Sequence, residues 1–112
     1  FRVILDLNPA SKGHALILPK NHYKNVCDLD DTVAAKVLPL AAKIGTAMKE
    51  GLGCSGFNLV QNNGTDAGQT VFHFHVHVIP RYQGGPSIAA WEPHAANEKE
   101  LAETAEKIRT LL

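Results

Sequence analysis

An α+β domain with an antiparallel sheet, one long central helix and a C-terminal helix is the fold class that this 112-residue sequence predicts. Three observations carry it. Apolar runs of strand length come in two pairs, each pair joined by turn-forming residues, as antiparallel hairpins are. Between the pairs the apolar spacing changes to that of a helix. A capped amphipathic segment closes the chain. The order β-β-α-β-β-α, with its short links inside each strand pair, favours an α+β sheet over a doubly wound one.

The elements follow in order. "FRVILDL" is apolar and β-branched and reads as a strand. "NPASKG" supplies turn formers, and "HALILP" is a second short strand that completes a hairpin. "KNHYKN" is polar loop. From Asp31 to Glu50, residues Val33, Val37, Leu40, Ile44 and Ala47 keep helical spacing. Asp30 or Asp31 caps this helix, Pro39 kinks or splits it, and Gly51 and Gly53 end it. "FNLVQ" is a third strand, "NNGTDAG" a loop, and "QTVFHFHVHVIP" a fourth and longest strand. "RYQGGPS" reads as an irregular stretch. Asn97 followed by Glu100 is a capping-box pattern, and Leu101, Ala105, Ile108 and Leu112 mark a last helix. Glu103 and Lys107 are spaced to pair on its surface.

Composition bounds the function. A hydrophobic fraction of 45% and a charged fraction of 20% are ordinary for one globular domain with one core, here residues 1–112. Lys+Arg and Asp+Glu are 11 each, so the charge balance predicts no nucleic-acid or anionic-membrane surface. Cys27 and Cys54 are far apart and form no Cys-x-x-Cys pair, which suits reduced thiols in a reducing compartment. No apolar run has transmembrane length and no signal peptide is visible, so the expected location is cytoplasmic. The chain opens on Phe1, already within a strand, and is expected to have lost an N-terminal piece.

The chemistry concentrates in "HFHVHV", residues 73 to 78, which holds three of the six histidines. Residues two apart on a strand share a face, so His73, His75 and His77 are expected to point one way. Phe72, Phe74, Val76 and Val78 then face a core. Successive imidazoles start roughly 7 Å apart, so neighbours can orient one another. Three readings follow: solvated sheet-face histidines, a His-x-His metal site, or nucleophilic and acid–base catalysis by neutral imidazole. The metal reading lacks an obvious nearby third ligand other than Asp66. The preceding loop favours the third reading. Gly68 allows close backbone approach, Gln69 and Thr70 can donate to phosphate oxygens, and Asn62 can add an amide.

These stretches resemble the histidine triad (HIT) superfamily. "HFHVHVI" resembles its His-φ-His-φ-His-φ-φ signature, where φ is apolar, and "AGQTVFHFHVHVIPR" extends the likeness. "NPASKGHALILPKNH" resembles the family's second stretch, and the similarity covers residues 1 to about 94. It closely resembles the bacterial-type Hit proteins of the Hint-like branch, whose tail run is matched by Arg81, Tyr82, Trp91 and His94. The resemblance implies a HIT-like antiparallel β-meander, a homodimer with a sheet running across both subunits, and a bound purine nucleotide such as AMP or GMP. It implies nucleotidyl transfer at the α-phosphate, with hydrolysis of nucleoside phosphoramidates in the Hint-like members. His75 is then the nucleophile, His77 contacts phosphate and positions His75, and His73 and His14 support them. Gln69, Thr70, Asn62 and the Gly68 backbone bind phosphate, Asp6 holds the ribose, and Leu7 lines the base pocket.

No metal is required for that chemistry. Many bacterial members nevertheless bind a structural zinc with an N-terminal cysteine pair, which would lie upstream of Phe1, and two histidines, which fall at His22 and His73. Without the cysteines, His22 is a surface histidine. Asp6 is alternatively a plain turn residue and His14 an edge-strand histidine. Trp91 is either core or reaches toward the partner's site, and His94 is expected in solvent. Three other functions remain: hydrolysis of dinucleoside polyphosphates, nucleotide binding or scaffolding with incidental catalysis, and metal binding without phosphate chemistry.

Overall fold

The computed structural model describes residues 1–88 and 91–112. Strand β1 (Arg2–Leu5) and strand β2 (Ala15–Leu18) form the first hairpin, with Val3 opposite Ile17. Helix α1 (Asp31–Leu52) follows, then β3 (Gly56–Val60) and β4 (Val76–Arg81), and finally α2 (Glu98–Arg109). All strand pairs are antiparallel and the sheet order is β1-β2-β4-β3. The α+β antiparallel class therefore holds. The last strand takes an inner place between β2 and β3, which puts its side chains at the centre of the sheet.

Alternation divides the sheet into two faces. Ala15, Ile17, Val76 and Val78 are buried and join Val37, Ala41 and Met48 of α1 in the core. Ile17 and Val78 are fully buried, each contributing about 1.5–3 kcal/mol by removal from water. Leu16, Leu18 and His77 lie on the opposite face, with Leu16 directly opposite His77. One short face-to-face pairing thus decides which residues become core and which become site.

Helix α1 starts where its sequence says it should. The Asp30 side chain accepts from the N–H groups of Thr32 and Val33, and Gly53 ends the helix at φ +72°. Pro39 does not split it: the helix runs unbroken through that position. Pro39 and Ala35 are both exposed, so the carbonyl that loses its partner can turn to water. The buried stripe consists of Val37, Ala41, Gly45 and Met48, while Ala47 is exposed.

Gly45 is a packing site. A Cβ there would run into the Phe57 ring, well inside contact distance. Overpacking of this kind costs about 1–3 kcal/mol, against the roughly 1 kcal/mol that alanine gains over glycine in a helix. Gly45→Ala is expected to lower the urea midpoint, and Phe57→Leu in the same chain to recover part of the loss. A midpoint no lower than the parent's would mean that the Phe57 ring swings aside without cost.

Helix α2 is capped by Asn97, whose side chain accepts from Lys99 and Glu100 N–H. Its surface pairs are Lys99 with Glu103 and Arg109 with Glu106, in place of the expected Glu103–Lys107 pair. Every residue of α2 is exposed, including Leu101, Ala105 and Ile108, so its apolar stripe is not part of the core. Cys27 is exposed and Cys54 buried, and neither is in a disulfide. Among the described residues no helix is long and apolar enough to cross a membrane.

Candidate active site

The histidine strand is shorter than its sequence suggests. Strand β4 begins at Val76, and residues 71–73 form a bend. His77 is therefore on the strand, His75 just ahead of it, and His73 in the bend. The three rings do not form one even row. His75 and His77 stay together, with ring centroids 4.9 Å apart in an edge-on arrangement. His73 turns instead to His22, at 5.1 Å between centroids. Phe72 also departs from expectation. It is 45% exposed rather than core-facing, and Lys24 Nζ lies 5.8 Å from its ring centroid. Phe74 and Val76 are buried as expected.

His73 reaches the site through its backbone. His75 Nδ1–H donates to the His73 carbonyl at 2.8 Å. A carbonyl can only accept, so the His75 proton sits on Nδ1 and the lone pair of the neutral ring on Nε2. The ring of His73 is occupied elsewhere. Its Nε2–H donates to the Pro19 carbonyl at 3.2 Å, and its Nδ1 lies 3.1 Å from Nδ1 of His22. The His73 ring is thus turned away from His75 and His77, and only its carbonyl oxygen meets the His75 ring.

His14 is buried at 6% exposure and sits behind His77, its Nε2 2.9 Å from His77 Nδ1. The backbone N–H of Ala10 donates to His14 Nδ1 at 3.0 Å. Asp6 lies beside this pair. Its Oδ1 accepts from Asn8 N–H at 2.8 Å and its Oδ2 is 3.7 Å from His14 Nε2. Asp6, His14 and His77 are close enough to share a cation. Ala10 N–H occupies the lone pair of His14 Nδ1, so His14 Nε2 carries the proton and has no lone pair for a cation, and we assign no metal to the group.

Burial holds the His14 imidazolium below its ordinary pKa, outweighing Asp6, which acts the other way. Burial first, then the nearby His75 and His14, lowers His77 as well. Both groups bind protons more readily unfolded than folded, so stability rises with pH across the interval between the folded and unfolded values. Their contribution is complete above the unfolded pKa of about 6.5 and is lost as pH falls through the folded values. Urea midpoints are expected to fall from pH 7.5 to pH 5, less steeply in His14→Gln. Parallel slopes for the two proteins would remove His14 from this account.

The loop ahead of the histidines is built differently from expectation in one respect. Gln69 is 3% exposed and its amide is fully used. Its Oε1 accepts from Gly64 N–H at 2.8 Å, while its Nε2 donates to the carbonyls of Lys24 at 2.7 Å and Val71 at 3.2 Å. The side chain expected to donate to phosphate is here bonded within its own loop, which it pins. Thr70 is exposed beyond it. Gly68 has φ +90°, where a side chain is disfavoured, and its missing Cβ would lie 3.6 Å from the Asn62 amide nitrogen. Asn62 lies two residues past Val60, which pairs with His77.

A cleft of about 240 Å³ opens beside His73 and His75, walled by Leu16, Leu18 and Val71. The sequence reading missed the Leu16 and Leu18 walls, although their alternation with the core residues Ala15 and Ile17 carried the signal. It also missed Ala10 and Pro19, which act through backbone groups and leave no side-chain signature. Leu7 is 94% exposed and Trp91 83% exposed, so neither packs in the core of this chain. His94 is exposed, as expected.

Fold and site together define a small α+β protein with an open imidazole lone pair at the mouth of an inner strand, beside a pinned glycine loop. The family model of the HIT domain matches residues 1–84. The chain is 41% identical over 96 residues to protein hit of Bacillus subtilis, covering 85% of this chain and 66% of that protein. It is 36% identical over 105 residues to the adenosine 5'-monophosphoramidase hnt1 of Schizosaccharomyces pombe, covering 93% of this chain and 76% of that one. A Zn-bound histidine triad family protein from Mycobacterium smegmatis superposes with a TM-score of 0.71 at 31% identity, covering 98% of this chain and 81% of its own. This chain belongs to the HIT family. It spans just under two thirds of the Bacillus subtilis protein's length.

Proposed function

We propose that the protein hydrolyses purine nucleoside phosphoramidates through a nucleotidyl-histidine intermediate. The observation that carries this reading is the bond from His75 Nδ1–H to the His73 carbonyl, which leaves Nε2 as an open nucleophile beside His77. Nε2 forms a bond to the α-phosphorus, and the electrons of the P–N bond pass to the amine, which leaves with a proton from solvent. Water then attacks the same phosphorus, the P–Nε2 bond breaks, and the nucleoside monophosphate departs. Two displacements replace one hard step. Charge on the transferring phosphorus is met by His77, Thr70, the Asn62 amide and the Gly68 backbone. Asp6 holds the ribose hydroxyls and Leu7 covers the base. No metal takes part in this sequence.

The name of the Schizosaccharomyces pombe relative supports the leaving group. The test is release of a fluorescent amine from an adenosine phosphoramidate, with chelator present. No release from a preparation that still binds AMP would end this reading.

The same proposal includes a homodimer in the cytoplasm. Exposed Leu38 and Leu59, on α1 and the edge strand β3, line one apolar groove with Leu29 and Val37. A monomeric mass by light scattering at micromolar concentration would remove the dimer. A structural zinc at His22 and His73 also belongs here. Their Nδ1 atoms, 3.1 Å apart, have nearly the spacing of two ligands on one tetrahedral ion with bonds of roughly 2.0–2.1 Å. The His73 bond to Pro19 leaves Nδ1 for the metal, as an outer partner should. The described residues supply only these two ligands of the four a structural zinc takes, so no step depends on it. Metal analysis of the purified protein decides: less than about a tenth of an equivalent per chain would remove zinc.

A further inference from the structure

We propose that the backbone N–H of Ala10 is a positioning group: acting through His14, it fixes His77 as a neutral imidazole that presents Nε2–H, and never a lone pair, to the phosphate. An amide N–H can only donate. Its 3.0 Å contact therefore requires a lone pair on His14 Nδ1. A neutral imidazole has one N–H, so the His14 proton is on Nε2. That atom is 2.9 Å from His77 Nδ1, which must then accept. The His77 proton is left on Nε2. Burial of His14, and the lowered affinity of both rings for a second proton, keep the chain of donors neutral.

On the neighbouring ring the opposite arrangement is set by an acceptor. The His73 carbonyl holds the His75 proton on Nδ1 and leaves the lone pair on Nε2. Two backbone groups of opposite polarity thus give two adjacent histidines opposite tautomers. The pair offers one lone pair for phosphorus and one N–H for a phosphate oxygen. Were both rings set alike, the site would present two lone pairs, which repel the phosphate oxygens, or two N–H groups, which leave no nucleophile. A further consequence is that His77 has no place for a second proton. Protonating His77 Nδ1 opposes His14 Nε2–H, and protonating His14 Nδ1 opposes Ala10 N–H. His77 therefore acts as a hydrogen-bond donor, not as the acid that carries a proton to the leaving amine.

The position of Ala10 is itself determined by the hairpin. Asp6 N–H donates to the His14 carbonyl at 2.9 Å and His14 N–H to the Ser11 carbonyl at 3.1 Å, closing the turn. Ser11 Oγ donates to the Pro80 carbonyl at 2.6 Å, tying that turn to β4. The charged and titratable groups around the relay are Asp6 and Arg81 at His14 and His75 at His77.

The catalytic consequence rests on the phosphoramidate reading, but the tautomers can be measured without it. Long-range nitrogen–proton correlation of the 15N-histidine-labelled chain at pH 7.5 assigns each ring. The expected spectrum shows pyridine-like Nδ1 and pyrrole-like Nε2 for His14 and His77, and the reverse for His75. A pyrrole-like Nδ1 on His77 overturns the proposal. In Ala10→Pro, which lacks the N–H, both His14 and His77 are expected to show averaged nitrogen shifts, with kcat reduced about tenfold for one lost bond. Should that turn fail to fold, His14→Phe carries the same spectroscopic expectation for His77. Averaged shifts already present in the parent also overturn the proposal. The expected tautomers without turnover would uphold the positioning and remove the hydrolase reading. Turnover with a His77 lone pair on Nε2 would do the reverse.

Discussion

His75→Ala is expected to reduce amine release from an adenosine phosphoramidate by about four orders of magnitude or more, the scale of loss when a nucleophile is removed. The fold should barely notice. His75 is half-buried ahead of β4 and its side-chain hydrogen bond is to the carbonyl of His73, two residues away. The urea midpoint should therefore shift by no more than about 1 kcal/mol of stability. Mass spectrometry of rapidly quenched parent enzyme should find a nucleotidyl adduct that the variant lacks. A variant with a tenth of the parent's rate would mean that water attacks phosphorus directly, with the rest of the site supplying electrostatic stabilisation alone.

Gln69→Ala is expected to have the largest effect on stability in the site region. The substitution breaks three hydrogen bonds at a position that is 3% exposed. It leaves the Gly64 N–H and the carbonyls of Lys24 and Val71 without that partner. An unsatisfied buried group costs about 1–3 kcal/mol, so the variant should lose roughly 2–4 kcal/mol after partial hydration of the loop. Both the urea midpoint and kcat should fall, because the loop it pins leads directly through Thr70 to the histidine bend. Gln69→Glu separates the roles. It keeps an acceptor for Gly64 but no donor for the two carbonyls, and should be destabilised almost as much. If Gln69→Ala instead raised KM with an unchanged urea midpoint, the amide would be a ligand for phosphate after all.

Much of the fold was legible because its determinants are local. The Asp30 and Asn97 caps, the Gly53 stop and the apolar stripe of α1 are statements about residues within a few positions of one another. The first hairpin is a turn-rich link between two strands, which the sequence also displays. Pro39 was misleading, since its cost depends on whether the opened carbonyl meets water, and that is a matter of which face is exposed. The start of β4 was misleading for a related reason. Alternation of histidine and apolar residues continues from His73 to Val78, yet β4 meets a partner strand only from Val76. Periodicity shows which residues can share a face; ladder hydrogen bonds decide where a strand begins.

The sequence by itself determined the fold class, the family and the residue types of the site, because spacing and side-chain chemistry carry those. Only the tertiary structure decided how the histidines divide. It paired His73 with His22, placed His14 behind His77, and buried the Gln69 amide in its own loop. It also brought two backbone groups, Ala10 N–H and the His73 carbonyl, against neighbouring rings. Every residue other than proline carries the same N–H and every residue the same carbonyl, so no side chain announces such a contact. The proton position on an imidazole is set by whichever donor or acceptor the folded chain brings to it, across 63 residues of sequence in the case of His14 and His77.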